Sequence, residues 1–229
     1  MSESLNATRV ALADTAARLF ARQLLDLAGG NLSVRLGEIV CITPRYSGLR
    51  HHWALTPDDV MVVTLDGTII EGKGELSRES RVHLSLHRAY GEHGTAVIHA
   101  HARNVMVFAA HARPMPVVLE ATRKFGEIQV VDFAPSHSAD LAQHVTNALS
   151  GQEARINKHA AAVIAPYHGL FAMGRDLDLA ADAVERLDTN AYCLLMGSLL
   201  PADDAFQSRR DAMEAAIEVY DQHKAHTAL

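Results

Sequence analysis

The residues with the clearest chemical potential are two histidines set two apart in VIHAH, His99 and His101. In an extended strand, positions i and i+2 point to the same face, so both imidazoles project together. A third, His168, stands in YHGL just past the apolar run AAAVIA, where a loop can carry it over the end of a neighbouring strand. Three imidazoles suit one divalent cation, and three protein ligands leave positions open for water or substrate, as a catalytic ion requires. The competing reading is that these are hydrogen-bonded core histidines, because an HxH pair alone is common. His83 and His87 form another pair, at i and i+4 of one helical face, but no glutamate lies between them as HExxH demands. His83 therefore reads as packing or support, and His87 as surface.

These side chains must be positioned by regular elements, and the hydrophobic spacing supplies them. Apolar residues at helical spacing predict an opening helix over 5–28, stopped by Gly29-Gly30. LSVRL and EIVCIT read as two short strands that pair, and TPRYSGLRHHWAL as a loop rich in turn formers. A capped helical turn follows at Thr56-Pro57-Asp58-Asp59, then a hairpin about Asp66-Gly67. Ser77 is placed to cap a helix through RESRVHLSLHRAYG that ends at Gly91. Beyond it come the buried strand AVIHAH, a helix in ARNVMVFAAHA, the strand IQVVDFA and a helix in SADLAQHVTNALSG. The strand AAVIAP, a loop YHGLFAMG and two helices at 178–199 and 203–224 complete the order. We read this as α/β in an α+β-like arrangement: one domain over 1–229, with a central mixed β-sheet flanked by helices.

Composition bounds the function. A chain of 229 residues with 48% hydrophobic and 21% charged side chains suits one globular core, since cores stop growing near about 250–300 residues. A formal charge of −6 argues against nucleic acid, whose phosphates demand clustered Lys and Arg. Cys41 and Cys193 form no CxxC pair, which fits a reducing cytoplasm and argues against a thiolate zinc site. The N-terminus lacks the pattern of a secretion signal, and the apolar runs fall far short of the roughly 20 residues that span a bilayer. A small-molecule substrate is the remaining class of partner.

The ordered series GGNLSVR (29–35), CITP (41–44), EGKGELSRESRVH (71–83), AVIHAHARNVMVFA (96–109) and YHGL resembles the class II aldolase/adducin family of fuculose-phosphate aldolase-like proteins, over most of residues 8–200. The resemblance implies a three-layer architecture and one divalent ion per subunit on His99, His101 and His168, Zn²⁺ first, with Mn²⁺ or another divalent ion also suited to imidazole. It also implies that Glu79 acts as acid/base, and that subunits assemble as a homotetramer. Aldol cleavage needs a carbanion next to a carbonyl, which a cation on adjacent oxygens stabilises as an enediolate. A carboxylate near that ion and partly desolvated is expected to have its pKa raised toward working pH; the plain alternative for Glu79 is an acid favoured by the helix dipole.

Departures from the family pattern bear on the substrate. Of the family's anion-binding positions, Asn31, Thr43 and Ser77 remain, while Arg78 replaces a second serine and Arg45-Tyr46 interrupts the turn before Ser47-Gly48. An arginine offers a planar fork that matches a carboxylate and also binds phosphate. Glu120 lies near the place where the sugar-phosphate enzymes often carry a proton-donating tyrosine; Tyr167 and Tyr220 are candidate replacements, and Arg123 and Lys124 read as solvated. The leading expectation is a metal-dependent lyase of aldolase type acting on a small hydroxy-carbonyl compound. Its rivals are a decarboxylase of a hydroxylated aromatic or related acid, a pentulose-phosphate 4-epimerase, and a non-enzymatic adducin-like interaction domain.

Overall fold

The segment NLSVRL alternates polar and apolar side chains, and as β1 (Asn31–Leu36) it sends Leu32 and Val34 to one face of a sheet and Asn31 and Ser33 to the other. In the computed structural model, which describes residues 2–201 and 203–227, the elements preceding and following it are α1 (Ser2–Ala21), β2 (Ile39–Ile42), α2 (Ser47–His51), β3 (Met61–Thr64) and β4 (Ile69–Glu71). Then come α3 (Ser80–Tyr90), β5 (Ala96–Ala100), α4 (Val105–Ala110), α5 (Ala139–Ala148), α6 (Glu153–Lys158), β6 (Ala160–Ala165), β7 (Gly169–Gly174), α7 (Leu177–Gly197) and α8 (Phe206–Thr227). The outermost residues of the expected 1–229 domain, Met1, Ala228 and Leu229, lie outside the described residues.

Among the described residues, seven strands form one sheet in the order β4-β3-β2-β1-β5-β7-β6. All pairs between these strands are antiparallel, and the parallel component among the described residues is a single bridge between Val130 and Ile164. Helices cover both faces. Leu12 and Leu19 of α1, Val105 of α4 and Leu187 of α7 pack with Leu32, Ile98 and Leu170. On the other face Val82 and Leu86 of α3, Leu141 and Val145 of α5 and Ile156 of α6 pack with Val97, Val163 and Phe171. Burying each such large side chain contributes about 1.5–3 kcal/mol. The three layers match the expected fold. The chain divides into two compact units, Met1–Leu195 and Met196–Leu229, the second containing α8. No helix among the described residues is long and apolar enough to cross a membrane.

Several elements differ from expectation. The opening helix ends at Ala21 rather than 28, because Gln23 adopts a left-handed φ of 60° and the chain turns before the glycines. The loop 43–55 contains α2, too short for a periodic signal, entered and left through left-handed Tyr46 and His52. IQVVDFA forms no strand; among the described residues its β-type pairing is limited to the isolated bridges of Ile128 to Met115 and Val130 to Ile164. YHGLFAMG, read as a loop on its glycines, is largely β7, and Gly174 is there because a Cβ would lie 2.6 Å from the Ala180 amide. The short α6 has no counterpart in the expected order. The Asp66-Gly67 hairpin is as expected, and the helical turn expected at Thr56 is a single 3₁₀ turn, Pro57–Asp59, where the Thr56 amide and hydroxyl both donate to Asp59 Oδ2.

Candidate metal centre and active site

Antiparallel register lines up Asn31 of β1, His99 of β5 and Phe171 of β7 in one row across the sheet. His99 stacks on the Phe171 ring, centroids 4.3 Å apart, and is 1% exposed. His101 follows just beyond the end of β5 on the same side. His168 ends the tight connection between β6 and β7, where Ala165 already pairs with Gly169. A side chain at Gly169 would force the backbone to shift: its Cβ would sit 2.7 Å from the Ala100 carbonyl and 3.1 Å from the His99 ring. That close approach brings His168 over β5, its ring centroid 4.7 Å from His99 and 6.0 Å from His101.

One nitrogen from each of the three rings lies within 4.8 Å of the others. The second nitrogen of His99, Nδ1, faces the Leu170 carbonyl at 3.0 Å, and His101 Nδ1 faces Asp26 Oδ2 at 3.0 Å. Their Nε2 atoms are buried and have no hydrogen-bond partner. A buried polar atom left alone costs about 1–3 kcal/mol, so two such atoms at one point need an explanation. The donor set fits a divalent cation, which would engage each lone pair. Burial, with the nearby charges of His168 and His101 adding to it, pushes the His99 imidazole well below its ordinary pKa and keeps it in the neutral form that ligation requires.

Glu79 occupies the position before α3, yet its carboxylate does not cap the helix. Oε2 accepts from Asn31 Nδ2 at 3.1 Å and from the Ser77 hydroxyl at 3.1 Å, while Oε1 lies 3.5 Å from His168 Nε2. The carboxylate is therefore engaged by the cleft and His168 rather than by the amides of α3. Burial alone would push the Glu79 carboxyl up, but the hydrogen bond with His168 and that from the Ser77 hydroxyl outweigh it and hold the group below the usual carboxylate range. The expected upward shift is thereby reversed, and Glu79 rests as an anion.

The expected substrate residues separate into two groups. Asn31, Ser77, Arg78 and Glu79 all border an open cleft of about 380 Å³ together with His101 and Ser47. Asn31 Oδ1 is buried with no partner, since its Nδ2 is committed to Ser77 and Glu79. Ser77 does not cap α3 as expected, because the helix starts three residues later and the hydroxyl is engaged by Asn31 and Glu79. Arg78 is exposed at the cleft. Thr43 is turned inward instead: its hydroxyl accepts the Leu32 amide at 3.0 Å, so it serves β1 rather than the cleft. Tyr46 lines the cleft with Arg45 and Arg50 on its ring at 4.5 and 4.4 Å.

His87 is not a surface residue: it and His83 are fully buried, both bonded to Ser33 Oγ at 2.7 Å. Lys124 is tied to Asp182 at 2.9 Å, and Tyr167 and Tyr220 are exposed. Sequence reasoning missed Asp26 beside His101. A carboxylate four residues before the Gly30-Asn31 turn was the available signal, but it was absorbed into the expected helix.

Residues 10–195 match the model of the class II aldolase and adducin N-terminal domain. The chain is 31% identical over 206 residues to a 5-methylthioribulose-1-phosphate/5-deoxyribulose-1-phosphate aldolase of Rhodospirillum rubrum, covering 86% of this chain and 87% of the relative. It is 29% identical over 171 residues to an L-fuculose phosphate aldolase of Methanococcus maripaludis, covering 74% and 86% respectively. The solved L-fuculose-1-phosphate aldolase from Thermus thermophilus superposes with a TM-score of 0.68 at 30% identity, over 87% of this chain and 97% of that one. On fold, ordered motifs and these likenesses together, the chain belongs to the class II aldolase/adducin family.

Proposed function

We propose that this chain is a divalent-metal-dependent carbon–carbon lyase that cleaves a small hydroxy-carbonyl substrate in the manner of an aldolase, with residues 1–229 working as one domain. The observation that carries the reading is the convergence of three imidazoles from separate segments beside a buried carboxylate at an open cleft. His99, His101 and His168 would hold the ion, Zn²⁺ by family resemblance, with Mn²⁺ or another divalent ion also compatible with imidazole. When bound, such an ion supplies Lewis acidity, drawing electron density from a carbonyl oxygen so that negative charge on the neighbouring carbon costs less.

The chain's own groups handle the proton and the orientation. Glu79 enters as a base, takes a proton from the substrate, and returns it to the carbon left electron-rich when the bond parts. Asn31 and Ser77 hold Oε2, which leaves Oε1 as the oxygen for transfer. Asn31 Oδ1 offers an acceptor to a substrate hydroxyl. Arg78 presents a guanidinium fork to an anionic end of the substrate.

Decarboxylation of a hydroxylated aromatic or related acid is a second reading, favoured by one observation: Arg78 joins Arg45 and Tyr46 at the cleft, giving planar cationic and aromatic surfaces in place of small hydroxyls. Zn²⁺-loaded protein tests both readings when assayed for aldehyde from ketose phosphates and for CO₂ from hydroxylated aromatic acids. Aldehyde release that disappears in His99→Ala supports the aldolase. CO₂ release alone moves the assignment to the second reading, and a wild-type protein with no stoichiometric metal and neither activity points to an adducin-like interaction domain. The homotetramer and the cytoplasmic setting belong to this same reading; light scattering at about four chain masses would support the tetramer.

A further inference from the structure

The two histidines of the HxH pair are oriented by different kinds of group. His99 Nδ1 faces the Leu170 backbone carbonyl, which no substitution removes. His101 Nδ1 faces a side chain, Asp26 Oδ2, at 3.0 Å. A carboxylate only accepts, so it places the ring hydrogen on Nδ1 and leaves the lone pair on Nε2, the buried nitrogen that has no other partner. Asp26 is itself fixed, although its side chain is half exposed. Oδ1 accepts the amides of Ala28 at 2.8 Å and Gly29 at 2.6 Å, and its backbone carbonyl accepts the buried Trp53 indole at 2.8 Å. The same turn closes against the ring from the other side: a Cβ at Gly29 would lie 2.0 Å from His101 Cε1.

We propose that Asp26 is a positioning residue which sets the tautomer and ring orientation of His101, and through them the cation affinity of the site. The inference rests on the metal reading above. Asp26→Asn is the discriminating variant, because its Oδ1 can keep both backbone amides while its amino group takes the place of Oδ2. That group donates, so it presents a hydrogen to Nδ1 and drives the ring hydrogen to Nε2, where it blocks ligation. Loss of such a hydrogen-bond partner typically weakens metal binding by about 10- to 100-fold.

The test has two parts. In metal-free wild-type protein, ¹⁵N-histidine NMR should show His101 with hydrogen on Nδ1; hydrogen on Nε2 overturns the proposal without any variant being needed. Zn²⁺ affinity, measured by chelator competition, should then fall at least tenfold in Asp26→Asn, together with a shift of the hydrogen to Nε2. Unchanged affinity in the variant overturns the proposal while leaving the metal site standing. Failure of wild-type protein to take up Zn²⁺ overturns both, and is recognised because it shows before any substitution.

Discussion

On α3, His83 and His87 stand one turn apart and meet a single hydroxyl, Ser33 Oγ, at 2.7 Å each; a row away on the same face of the sheet, the rings of His99, His101 and His168 face one another directly. Both regions bury imidazoles that cost free energy unless paired. A serine hydroxyl gives one hydrogen and takes another, so it uses one nitrogen of each α3 histidine; the other two, His83 Nε2 and His87 Nδ1, are buried without a partner but do not belong to a converging set of ligand atoms. In the second region the groups that pair, the Leu170 carbonyl and Asp26, lie behind the rings, and the lone pairs left over converge in front. Histidine count and spacing are therefore poor guides to a cation site. What decides is which nitrogen the neighbours leave free, and whether the free ones face one point.

That contrast can be broken most severely by removing a ring from the converging trio. His99→Ala should abolish stoichiometric Zn²⁺ and lower turnover by about 10³-fold or more, the several kcal/mol that metal polarisation contributes. Elemental analysis and a lyase assay read both, and retained metal would place the ion elsewhere. The next largest effect separates ligand from proton carrier. Glu79→Gln should cut kcat by about 10²- to 10⁴-fold with metal content unchanged; loss of the metal in that variant would make Glu79 a ligand instead.

The α3 pair should speak through stability and not through metal. Burial pushes both imidazoles down to about 3, with the Glu79 charge opposing at His83 and the His83 and Arg35 charges adding at His87. The ordinary value near about 6.5 holds in the unfolded chain, so the unfolded state binds protons first as pH falls. The contribution is thus complete above the unfolded value and is lost as pH drops towards 3, at about 1.4 kcal/mol per pH unit for each ring. Urea titrations at pH 7 and pH 5 measure this slope. A His83→Asn/His87→Gln variant, which keeps amide hydrogen bonding to Ser33 but cannot ionise, should flatten it, and an unchanged slope would assign the acid sensitivity to other groups.

Much of this arrangement is legible in the sequence where one local rule applies. Period-two alternation exposes β1 and the shared direction of His99 and His101, and the Asp66-Gly67 and Thr56–Asp59 signals mark real turns. The family pattern carries His168 and Glu79 to the same place. What escapes is set by tertiary contact. Gly169 and Gly174 look like loop punctuation, yet each permits a backbone to approach closely within or beside a buried strand. Thr43 has the right residue type for the cleft but is claimed by the Leu32 amide. Asp26 sits in a stretch with helical spacing, and only the left-handed turn at Gln23 frees it to reach His101. His87 reads as a surface residue until Ser33 appears opposite it.

The central claim is that three imidazole nitrogens share one divalent ion. Zinc K-edge X-ray absorption on protein loaded with one equivalent of Zn²⁺ tests it most directly. The account predicts three imidazole nitrogens at about 2.0–2.1 Å, with oxygen donors completing the shell. A sulfur neighbour at about 2.3 Å, or a shell with fewer than three imidazoles, would contradict it.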